Sequence, residues 1–109
     1  MPATIYIGDE SRSIQRSTLG WVLGVLAERV SDEADAAALK EAADWGGWQM
    51  AVIDGNNYRD PVAIAQVIVT DLRAAALADS EGNAEYRDYL LPLVDDLADL
   101  AARYPGVTA

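Results

Sequence analysis

The sequence predicts a mainly α-helical, compact, bundle-like domain, and three observations carry that reading. Leu19–Ala27 (LGWVLGVLA) is an uncharged run inside a helical pattern that extends over about 13–30. Asp60-Pro61 pairs a good N-cap residue with a proline at the first helical position, the position where its missing N–H is least needed. Tyr86, Leu90, Leu93, Leu97, Leu100 and Tyr104 repeat at spacings of 4, 3, 4, 3 and 4, which draws one apolar seam along a long helix. With one further helix these give about four, over 13–30, 33–44, 61–78 and 84–104, in a single domain covering 1–109. Two short segments, 3–7 and 49–53, have strand character, and their pairing would make the class α+β.

Ala3–Ile7 (ATIYI) combines β-branched and aromatic residues, as a short strand does. Gly8-Asp9-Glu10-Ser11 reads as a turn, with Asp9, Ser11 or Ser13 capping the first helix. In that helix Leu19, Leu23, Leu26 and Val30 share one face, and Ile14, Thr18, Trp21, Val22 and Val25 an adjoining one. An apolar surface this wide points to a central helix packed on more than one side. Gly20 and Gly24 stack one turn apart. Each lowers helix propensity by about 1 kcal/mol, so a neighbouring backbone is expected to approach closely there.

Ser31 or Asp32 starts the second helix, EADAAALKEAAD, whose only large aliphatic residue is Leu39. Alanine gives it intrinsic propensity but little area to bury, so it belongs on the outside. Trp45-Gly46-Gly47-Trp48 ends it, and Gln49–Ile53 is a strand segment able to pair with Ala3–Ile7. Asp54-Gly55-Asn56-Asn57 is a dense turn signal. The third helix places Ile64, Ile68, Leu72 and Ala75 on one face, although Val67–Thr70 is β-branched throughout. Asn83 caps the fourth helix. Its seam keeps phase across Pro92, so the proline is expected to kink one helix and not to separate two.

The composition excludes much chemistry. There is no cysteine and no histidine, which removes disulfides, thiolate sites and the commonest general base and zinc ligand. Lys40 is the only lysine, and Asp+Glu outnumber Lys+Arg by 18 to 8, a formal net charge of −10. That sign opposes nucleic-acid backbones and anionic membranes. The first residues, MPATIYIGDE, have neither the basic region nor the apolar core of a signal peptide, so the expected location is the cytoplasm.

Four groups of side chains are candidates for function. Asp88, Asp95 and Asp99, with Glu85, form an acidic stripe on the last helix, off the apolar seam, suited to docking a basic protein. Trp45, Trp48 and Tyr58 supply loop aromatics that anchor a partner or close the end of a core. The i, i+3 pairs Glu41/Asp44 and Glu85/Asp88 are weak candidates for Mg²⁺ if they face each other across two helices. Asp54-x-Asn56-x-Tyr58-x-Asp60 alternates oxygen-bearing groups, but Gly55 is misplaced for a calcium loop and Ala65 stands where its glutamate belongs.

No family resemblance emerges from these motifs. The reading that fits best is a small acidic, non-catalytic protein-binding domain without cofactor, inhibitor-, immunity- or antitoxin-like, for a basic partner. The alternatives are a Mg²⁺-dependent all-α nucleotide phosphohydrolase and a homo-oligomeric structural protein.

Overall fold

The computed structural model describes residues 2–45 and 50–108. Two strands open the chain, β1 (Pro2–Ile7) and β2 (Glu10–Gln15). Next come the helices α1 (Arg16–Arg29) and α2 (Glu33–Trp45), then a third strand, β3 (Met50–Ile53). Three helices complete it: α3 (Pro61–Thr70), α4 (Leu72–Asp79) and α5 (Ala84–Ala102). The class is therefore α+β, with the sheet in the order β2-β1-β3. β1 runs antiparallel to β2 and parallel to β3, with Thr4 opposite Met50 and Ile7 opposite Ile53.

The pairing of 3–7 with 50–53 is the expected one; Gln49 lies outside the described residues, as do Gly46, Gly47 and Trp48. The first helix, expected over 13–30, begins instead at Arg16, because 10–15 is a strand. Gly8 and Asp9 form a two-residue hairpin turn in which Gly8 takes φ +65° and no non-glycine residue is left-handed. That is the type II′ geometry that suits the twist of paired strands. The strand hid in the sequence because its inward positions are Glu10, Arg12 and Ile14. Only Ile14 is apolar and buried. The two charged residues reach past the sheet edge to α5, Glu10 to Arg103 at 2.6 Å and Arg12 to Asp96 at 2.9 Å.

The helix expected over 61–78 is broken at Asp71 into α3 and α4, which bend by 50°. The β-branched run weakens the helix here, and the Thr70 hydroxyl donates to the Gln66 carbonyl at 3.0 Å, a contact that bends helices. The bend keeps Ile64, Ile68 and Leu72 fully buried and Ala75 nearly so. The described chain thus has five helices where the sequence suggests four. α5 runs unbroken through Pro92, as the phase of its seam requires. It stops at Ala102, two residues short of the expected 104, ahead of Pro105, whose ring disfavours helix in the residue before it.

One face of the sheet (Ala3, Ile5, Ile7, Ile14, Ala51 and Ile53) closes on a core built from all five helices. α1 contributes Leu19, Val22, Leu23 and Leu26, and packs against α2, whose Leu39 is fully buried. The expected backbone approach at the paired glycines is confined to Gly20, where a methyl group would sit 3.7 Å from the Ala43 carbonyl; Gly24 meets nothing within 4 Å. α5 packs on α3 and α4 and flanks β2. Among the described residues no single helix is long and apolar enough to cross a membrane. The bent α3–α4 pair passes by length and composition, but its apolar face belongs to the core.

Candidate functional site

A candidate binding surface lies where α5 runs beside the free edge of β2. Two adjoining hollows, of about 400 and 380 Å³, share Gln15 and Tyr89. β2 lines one wall with Arg12, Ser13, Ile14 and Gln15. α5 lines the other with Tyr86, Tyr89, Pro92 and Leu93. Tyr89 is 40% exposed, one of few large hydrophobic groups left open. Its hydroxyl lies 3.1 Å from the Thr18 hydroxyl, and this hydrogen bond fixes the ring against α1.

The acids of α5 divide into two sets. Asp95 is held by Arg73 at 2.6 Å and Asp96 by Arg12 at 2.9 Å. Asp99 lies near enough to Arg103 to help raise the arginine's pKa, after the hydrogen bond from Arg103 to Glu10. Glu85 and Asp88 are exposed, and no described cation lies within ion-pair distance of either. Helical spacing puts Glu85 one turn before Tyr89 and Asp88 one turn before Pro92. Neither acid lines the hollows themselves; each stands on α5 one turn from a residue that does, whereas Asp95 is engaged in holding α4 to α5.

Tyr58 sits at the opposite edge of the sheet. It is half-buried and packs on the core margin, beside a hollow of about 440 Å³ that also includes Glu41, Met50 and Val52. Burial, and secondarily the Asp35 carboxylate, raise its hydroxyl pKa above the ordinary tyrosine value. Trp48 and the side chain of Trp45 lie outside the described residues, so of the three aromatics only Tyr58 is placed. The loop that carries it is tied down from within. Asp54 accepts from the backbone N–H groups of Asn56 and Asn57 and from the Asn57 amide. Asp60 caps α3 by accepting from Ala63. These acids thus serve a turn and a helix cap.

The four metal candidates are not brought together. Glu41 and Asp44 are exposed on α2, which packs on α1, while Glu85 and Asp88 are on α5, which packs on α3, α4 and β2. Among the described residues no group of three or more acids is arranged to hold a metal ion. A larger hollow, about 620 Å³, opens at the end of the β1–β2 hairpin between Asp9, Asp54, Val62 and Tyr104. Its arginine, Arg103, is already paired with Glu10, whose pKa falls below the ordinary glutamate value because Arg103 donates to it.

Sequence reasoning missed Tyr89 and the β2 edge. The seam assigned Tyr86 to the core and passed over Tyr89, and β2 was read as turn and helix. A two-residue Gly-Asp step between two six-residue segments was the available signal. Comparison with protein-family models, with curated proteins and with solved structures finds no match to this chain.

Proposed function

We propose that this chain is an acidic protein-binding domain whose α5–β2 surface docks a basic partner, in the manner of an inhibitor, immunity protein or antitoxin. The observation that carries the reading is where the cations are. Among the described residues, Arg12, Arg29, Arg59, Arg73 and Arg103 are engaged in ion pairs with acids of the same chain. All five tie separate segments together: β2 to α5 and to the residue that caps its C-terminus, α4 to α5, the end of α1 to the α3–α4 junction, and the loop before α3 to the start of α2. The positive charge therefore holds the fold, and Glu85 and Asp88 keep their charge for an outside partner beside exposed tyrosine. A field of this sign steers a basic protein inward and repels acidic ones.

The test is affinity capture from the source cells with the tagged full chain and with a Glu85→Lys/Asp88→Lys variant. The expected partner is a basic protein retained at about 0.05 M salt, released at about 0.5 M, and lost by the variant. A partner that ignores both salt and charge reversal would overturn the reading.

A further inference from the structure

We infer that the partner is taken by strand addition: an extended basic segment pairs with the free edge of β2 and lies across Tyr89 and Pro92. This rests on the basic-partner reading and specifies its geometry. Ile7 and Glu10 flank the two-residue turn, so they exchange backbone hydrogen bonds, and the alternation of an antiparallel ladder then assigns Ile5–Arg12 and Ala3–Ile14 to the same class. The Gly8 N–H donates to the Ile53 carbonyl at 3.0 Å, which confirms that even-numbered residues of β1 face β3 and odd-numbered ones face β2. The backbone groups of Ser11, Ser13 and Gln15 therefore point outward, and all three residues are exposed.

An unpaired edge of this length is a template for another strand. The groove beside it supplies what an isolated edge lacks. Side chains of an added strand that point to the core side would rest on Tyr89 and Pro92, as those of β1 rest on the helices. The edge is only lightly guarded, by the Arg12 guanidinium, which donates to the Ser13 carbonyl at 2.9 Å. Pro92 has no N–H for the Asp88 carbonyl one turn earlier, which leaves a further backbone acceptor on the α5 wall. Charge selects the occupant. Arg12 is neutralised by Asp96, Glu85 and Asp88 have no ion-pair partner among the described residues, and a second copy would bring the same two acids and a net charge of −10 against them. A cationic segment meets no such repulsion.

The test pans a random octapeptide library against the full chain and reads the selected peptide by backbone amide exchange. The expected peptides carry Arg or Lys at alternate positions, and they slow exchange at Ser11, Ser13 and Gln15 by about tenfold or more. Ser13→Pro removes one outward donor and leaves the β1 pairing intact, so it should weaken binding by about tenfold. A peptide methylated on alternate backbone nitrogens should lose as much against the unaltered chain. Glu85→Lys/Asp88→Lys should weaken binding similarly. Binding that survives the proline and the methylation but not charge reversal overturns strand addition and leaves the basic-partner reading standing. Selection of neutral or acidic peptides, or of none, overturns strand addition by a basic segment. Concentration-dependent protection of the three amides without peptide gives the edge to a second copy, which also overturns it.

Discussion

The carboxylate of Asp35 accepts the backbone N–H of Asp60 at 2.9 Å, so one aspartate holds in place the residue that caps the next helix. Its other oxygen accepts the Arg59 N–H at 2.8 Å. Asp35 is 3% exposed, so both bonds are shielded from solvent on the acceptor's side. The N–H of Asp35 itself donates to Asp32, the residue ahead of α2. The start of α2, the loop from β3 and the start of α3 thus share one knot of backbone hydrogen bonds.

Asp35→Ala removes the acceptor of two part-buried backbone donors, and a hydrogen bond to a charged group is worth about 1.5–3 kcal/mol. Urea unfolding should show a loss of about 2–4 kcal/mol with an unchanged m-value. Asp35→Asn keeps one acceptor and should lose less. Equal stability of the alanine variant and the parent would mean that the loop finds water in place of the carboxylate.

Tyr58 is neutral when protonated, and burial with the nearby Asp35 charge raises its pKa. As pH climbs past about 10, the ordinary tyrosine value, the unfolded chain releases this proton first. The stability due to Tyr58 is therefore complete below that value and is lost as pH rises through the folded one. Tyr58→Phe should flatten this alkaline limb in thermal unfolding, and a limb of unchanged steepness would assign it to other groups.

Much of the fold was legible because burial follows periodicity wherever side chains are apolar. Leu19, Leu23 and Leu26 on α1, and Leu90, Leu93 and Leu97 on α5, are all buried as their spacing implies. What was not legible depends on long-range partners. Glu10 and Arg12 occupy inward positions of a strand only because Arg103 and Asp96 stand 93 and 84 residues away to receive them. No local pattern encodes such a pair, so the strand looked like a turn followed by a helix cap. The groove was illegible for the same reason, since one of its walls is that strand.

The Glu10–Arg103 pair has a signature of its own. Glu10 titrates below the ordinary glutamate value, chiefly through the hydrogen bond that Arg103 donates. A depressed folded pKa contributes stability that is present above the unfolded value and lost as pH falls through the folded one. Arg103→Gln should return the Glu10 carboxyl toward its ordinary value in a carbon-detected NMR titration. No movement would show that the pair does not persist in solution.

The glycines separate by conformation. Gly24 sits inside α1 with open space where a side chain would go, so Gly24→Ala should stabilise the chain by about 1 kcal/mol. Gly8 has φ +65°, and a methyl group there would lie 3.1 Å from the Tyr104 ring. Gly8→Ala should therefore destabilise, through the turn and the ring together. Chemical denaturation of the two variants against the parent gives both signs at once, and a destabilised Gly24→Ala would reveal an approach of α2 that the open space rules out.

Pro92 joins stability to binding. It lies inside α5, is exposed, and lines the groove beside Tyr89. A proline within a helix removes one backbone hydrogen bond and crowds the carbonyl four residues earlier, at a cost of about 3 kcal/mol. Pro92→Ala restores the bond to Asp88, so the chain should gain about 1–3 kcal/mol and melt several degrees higher. The same change removes the ring from the groove wall and satisfies the free carbonyl. If an added strand rests there, the stabilised variant should bind the selected basic peptide more weakly than the parent. Stability and affinity moving in opposite directions is the mark of a position retained for binding. A variant that gains stability and binds as well as before would make the proline incidental to the groove.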